Sequence, residues 1–141
     1  MKSSQKIIDM DLPTLIKQTR AKEANPGGGA ILILVSNLAI NLMLMMDKNE
    51  WGQYKNQARV SRETILKLSD ELSKLMQDDV DYFQTLMVNY KCASKEDFIN
   101  ASKSLLSMLD INIKAMDILS FYLKNGKKAT LTDGEIANDL L

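Results

Sequence analysis

The chain has 141 residues, 45% of them hydrophobic and 26% charged, and its eighteen basic and eighteen acidic side chains cancel. That balance creates no global field towards nucleic acid or an anionic membrane, and the length suits a single domain over residues 1–141 with a real core. Histidine is absent and Cys92 is the one cysteine, which excludes Ser-His and Cys-His pairs, histidine zinc sites and an internal disulfide. Proton transfer, in an enzyme of this composition, falls to Asp, Glu, Lys or Tyr, and no metal or cofactor is expected.

The first residues, Met1 to Lys6, are polar and lack the apolar stretch of a signal peptide, which points to a cytoplasmic protein. No alternating apolar pattern of useful length occurs anywhere, so the expected fold is all-α: a bundle of about five helices. The first helix is expected from about Asp9 or Asp11 to Ala24. An Asp caps it, Pro13 lies in its first turn, and Ile8, Leu12, Leu15, Ile16 and Thr19 mark one side.

Asn25-Pro26-Gly27-Gly28-Gly29-Ala30 ends that helix. Proline opposes helix at the residue before it, and the glycines let the backbone turn sharply and approach a neighbour closely. A second helix is expected from Gly28 to Lys48. Its open mouth offers unpaired N–H groups to an anion or an oxyanion, and a tight packing turn is the plainer alternative. Ala30 to Met46 is apolar nearly all round, the pattern of a central helix enclosed by others. Ser36, Asn37 and Asn41 interrupt it, which argues against a membrane span. Asn37 and Asn41 share a face, so their amides are expected to bond each other, a neighbouring helix or a ligand.

A long third helix is expected from Gln53 to Lys91. Its stripe reads Ile65, Leu68, Leu72, Leu75, Asp79, Phe83, Leu86 and Tyr90, in steps of three and four residues. Asp79 lies at the centre of that stripe, where a leucine belongs, whereas Asp78 and Asp81 point to solvent. A desolvated carboxyl has a raised pKa and is useful as a general acid or base; pairing with a cation or capping another helix is the structural alternative.

Ser94, with Asp97 three residues on, opens a fourth helix. Its core stripe is expected at Phe98, Ala101, Leu105, Leu109, Met116, Leu119 and Leu123, with Asn112 interrupting. Ile99, Leu106, Ile111, Ile113 and Ile118 widen the apolar band beyond what one neighbour covers, so an oligomer interface is expected there. Asn125-Gly126 stops this helix. Thr132-Asp133-Gly134-Glu135 reads as a second capping box before a short last helix.

Three of these stretches together resemble the cyclodeaminase/cyclohydrolase family, which includes the cyclodeaminase half of formiminotransferase-cyclodeaminase and methenyltetrahydrofolate cyclohydrolases. The resemblance is carried by the Pro-Gly-Gly-Gly turn before a buried helix (Asn25 to Ala30), by Gln77-Asp78-Asp79-Val80-Asp81-Tyr82-Phe83 on a long helix, and by Thr132-Asp133-Gly134 before the last one. It implies an all-helical homodimer acting on a tetrahydrofolate one-carbon adduct, without a metal. The reaction implied is ring closure of a formimino group with loss of ammonia, or addition of water to a methenyl bridge. Asp79 would then be the general acid or base. Gly27, Gly28 and Gly29 would hold an oxygen or a folate carboxylate, and Asp133 would contact the pterin or support the site. Arg59, Arg62 and Lys55 are candidates for the glutamate tail, or simply a solvated face. The family helix after the glycine turn is rich in Ala and Gly, whereas Ile31, Leu32, Ile33 and Leu34 stand here. The alternative is therefore a catalytically inactive helical dimer of the same fold, acting as a binding or structural protein.

Overall fold

The computed structural model describes residues 5–22 and 25–141. Five α-helices follow one another: α1 (Leu12–Thr19), α2 (Gly28–Leu42), α3 (Lys55–Val88), α4 (Lys95–Asn125) and α5 (Leu131–Leu140), and no strand occurs among the described residues. The start signals act as expected at two helices. The Asp11 carboxylate accepts from the Thr14 amide at 2.7 Å, with Pro13 in the first turn of α1. Ser94 and Asp97 form a reciprocal capping box at α4, Ser94 N donating to Asp97 Oδ2 at 2.8 Å.

Helix α2 is the hub: it packs against α3, α4 and α5, while α3 and α4 lie along each other as a long pair. Ile33, Ile40, Met43, Met46, Ile65, Leu72, Leu119 and Tyr122 are fully enclosed. Asn37 and Asn41 bond each other, Asn41 Nδ2 donating to Asn37 Oδ1 at 3.0 Å. Both also reach α3: Asn37 Nδ2 donates to Ser73 Oγ at 3.0 Å, Asn37 Oδ1 accepts from Ser69 Oγ at 2.7 Å, and Asn41 Nδ2 donates to Ser69 Oγ at 2.9 Å. Asn112 likewise reaches α2 through Ser36 Oγ. The matching is incomplete at Asn112 Oδ1, Ser104 Oγ and Tyr122, each buried without a partner, and Tyr122 is the largest of these residues. Its hydroxyl is buried without a hydrogen-bond partner, and burial, reinforced by the Asp47 carboxylate and opposed by Arg62, pushes it up to about 12.

Several expectations need correction. Helix α1 stops at Thr19, short of Ala24, which lies outside the described residues. The second helix tightens into a 3-10 turn over Met43–Met46 and ends before Lys48. It is not enclosed on all sides, because Leu32, Leu38 and Met45 are more than half exposed. Helix α3 spans 34 residues, about 51 Å at 1.5 Å per residue. Its buried side continues through Met76, Asp79 and Val80, whereas Phe83 and Tyr90 are exposed. The core side of α4 runs through Ser104, Met108, Ile111, Asn112, Ala115, Leu119 and Tyr122, leaving Phe98, Leu109 and Met116 exposed. Helix α5 begins at Leu131, so Thr132 lies inside it and caps nothing; Thr130 Oγ1 instead donates to the Met45 carbonyl at 2.8 Å.

Candidate active site at the mouth of α2

The Asn25-Pro26 peptide is cis, and Gly27 then stands extended as the N-cap of α2. Glycine has no side chain to turn back on the helix, so the first amides of α2 receive no cap from that residue. What faces them comes from α3. A Cβ placed on Gly29 would lie 2.6 and 2.7 Å from the two carboxylate oxygens of Asp79. Only glycine leaves room for that carboxyl group against the backbone. Asp79 is 7% exposed. Burial raises its pKa above the ordinary carboxylate value, and a hydrogen bond from the Ala30 amide works against part of that rise.

The carboxyl is enclosed but not sealed off. A cleft of about 370 Å³ opens beside it, bounded by Gly27, Gly28 and Gly29 at the helix mouth, Asp79, Val80 and Phe83 on α3, and Ala101 and Leu105 on α4. Its chemistry is one-sided: a single carboxyl and a row of backbone amides at one end, and apolar walls elsewhere. Such a site can move a proton with one group and hold an oxygen with the other. Ile31, Leu32, Ile33 and Leu34 are not among its lining residues. Ile33 is buried, Leu32 is exposed, and the other two are half-buried, so their bulk is spent outside the cleft.

Of the residues singled out in the sequence, Asp79, Gly27, Gly28 and Gly29 come together here. Asn37 does not join them. It lies two turns further along α2, and its amide is occupied by Ser69, Ser73 and Asn41. Asp133 lies in the first turn of α5, and its neighbour Gly134 packs on Met46, beyond the far end of α2. Arg59 pairs with Glu63 at 2.9 Å and Arg62 with Asp47 at 2.8 Å, both away from the cleft. No group of three His, Cys, Asp or Glu side chains suited to a metal gathers among the described residues.

Sequence reasoning missed the walls. Val80, Ala101 and Leu105 carry no signal that separates a cleft from a core. Phe83 was assigned to the core stripe, although an aromatic one turn from a buried acid is the kind of residue a site would use.

The family model described as formiminotransferase-cyclodeaminase covers residues 11–141, nearly the whole chain. No curated protein and no solved structure matches.

Proposed function

The chain belongs to the formiminotransferase-cyclodeaminase family, a family of folate one-carbon metabolism, and on that premise we propose that it acts on a tetrahydrofolate one-carbon adduct at the Asp79 cleft. The reaction is water addition to a methenyl bridge or ring closure of a formimino group. The observation that carries this reading is the Asp79 carboxyl, buried and raised in pKa, seated on Gly29 beside an open cleft.

Either reaction passes through a tetrahedral carbon between two nitrogens and needs protons moved at that carbon. In the hydrolytic case the bridge carbon takes the oxygen of water and one proton leaves for the Asp79 carboxylate. The C–N bond then opens as the hydroxyl proton passes to the ring nitrogen. In the cyclising case the adduct's second, exocyclic nitrogen attacks the formimino carbon and its proton passes to the imino nitrogen; the carboxylic acid then protonates the resulting amine, which leaves as ammonia and leaves the methenyl bridge positively charged. A carboxyl held above its ordinary pKa suits both roles better than an exposed one, because it is a stronger base when ionised and keeps its proton closer to neutrality. The open amides at the mouth of α2 favour negative charge developing on an oxygen. A second copy of the chain is part of this reading, since α4 carries an apolar stripe on its outer side.

Isothermal calorimetry with 5-formyltetrahydrofolate tests binding, and the Asp79→Asn variant tests chemistry. Binding retained with turnover lost by a hundredfold or more is the expected pair. Absence of heat and of any thermal shift at millimolar ligand would overturn the proposal.

One observation favours a second reading, a non-catalytic dimer of the same fold. The Asp79 carboxyl lies against Gly29 in the first turn of α2, where the Ala30 amide favours its ionised form, as it would if Asp79 served only to cap α2. That reading expects full stability with no folate binding, and the same calorimetry separates the two.

A further inference from the structure

Phe83 is out of place for a core residue. It follows Asp79 by one helical turn on the same side of α3, yet it is 39% exposed. The chain has three phenylalanines, and the other two have aromatic partners. Phe98 meets Tyr90 edge-on with centroids 6.3 Å apart, and Phe121 stacks on Trp51 at 5.3 Å. Phe83 has no aromatic neighbour among the described residues and lines the cleft instead, with Ala101 and Leu105 on the α4 side. Alanine there leaves width that a larger residue would close.

We propose that Phe83 is the stacking platform for the flat heterocycle of the substrate, which enters the slot between α3 and α4 with one polar edge towards Asp79. A planar, nitrogen-bearing ring matches each wall: its face meets the unpartnered aromatic ring, and its edge meets the carboxyl and the helix mouth. The slot therefore selects for an aromatic or near-planar bicyclic system and against an aliphatic amidine of similar polarity. This assignment rests on the folate reading above and adds the residue that holds the ring.

The stack acts alike on bound substrate and transition state, so its loss raises KM and leaves kcat near the wild-type value. Calorimetry with 5-formyltetrahydrofolate is expected to show roughly 3- to 10-fold weaker binding for Phe83→Leu. Phe83→Tyr should restore affinity, and both variants should melt with the wild type. Ala101→Phe, which fills the slot from the opposite wall, should abolish binding while leaving the fold intact. Wild-type affinity in both Phe83→Leu and Ala101→Phe overturns the assignment and leaves the folate reading standing. A wild-type protein that takes up no folate overturns both.

Discussion

The site turns on two residues that only work as a pair. Gly29 offers bare backbone and Asp79 fills the space a side chain would occupy. Gly29→Ala therefore need not unfold the protein. The obstructing atoms are the far end of a flexible side chain, which can swing aside, and alanine favours helix over glycine by about 1 kcal/mol. The expected outcome is a melting temperature close to wild type with turnover reduced at least tenfold, because the carboxyl has left the helix mouth. Asp79 also leaves a mark on stability. Its pKa is raised in the folded protein, so its stabilising contribution is complete below the ordinary carboxylate value and is lost as pH rises through the raised one. Asp79→Asn removes that loss. Urea unfolding should find the variant at least as stable as wild type at neutral pH, with the gap narrowing as pH falls from the raised value towards the ordinary carboxylate value and staying constant below it. Asp11 and Asp97 shift the other way, each lowered chiefly by its capping hydrogen bonds. They stabilise above the ordinary carboxylate value, and that help fades as pH falls through their depressed values.

Among the elements, α2 and α3 are joined by a polar seam set into apolar surroundings. Asn37, Asn41, Ser69 and Ser73 satisfy one another across it, and such a seam fixes register. Asn37→Ala removes the amide that Ser69, Ser73 and Asn41 all bond and is expected to cost about 1–3 kcal/mol in chemical denaturation, with KM unchanged because the seam lies outside the cleft. Tyr122 offers the opposite case. Its hydroxyl is buried without a partner, so Tyr122→Phe should leave stability unchanged or raise it by up to about 1–3 kcal/mol. These elements also show what a sequence can carry. The glycine turn and Asp79 were legible because each breaks a local rule: glycines where a helix begins, an acid where a leucine belongs. Both caps of that kind at Asp11 and Ser94 were legible for the same reason. The phase of α4 was not, because it is apolar on two sides and periodicity alone does not say which one meets the core. Phe83 was misplaced because exposure at its position depends on what α4 sets opposite it, Ala101 and Leu105 beside an open cleft, which no local pattern records. Asp133 entered through the resemblance of Thr132-Asp133-Gly134 and Asn37 through a buried amide in need of a partner; the packing of α5 and of the polar seam places both outside the lining of the cleft.

At the scale of the whole molecule, α2 separates two ends of unlike character. One carries the glycine mouth, Asp79 and the cleft; the other is closed by Met46 against Gly126 and Gly134. Along its length Leu32, Leu38 and Met45 face outward, and on α4 so do Ile99, Leu106, Leu109, Ile113 and Met116, in steps of seven, three, four and three. A second copy of the chain is the proposed cover for the α4 stripe. Sedimentation should find a dimer, and Leu109→Glu with Ile113→Glu should yield a folded monomer; a wild-type monomer at tens of micromolar would remove self-association from the account. In the proposed reaction one carboxyl, tuned by burial at the mouth of α2, carries the protons. Carbon-13 NMR titration of the Asp79 carboxyl, assigned by its loss in Asp79→Asn, tests this most directly. The expected midpoint lies above the ordinary carboxylate value and moves again when 5-formyltetrahydrofolate is added. A midpoint at or below the ordinary value, unchanged by the folate, would contradict it.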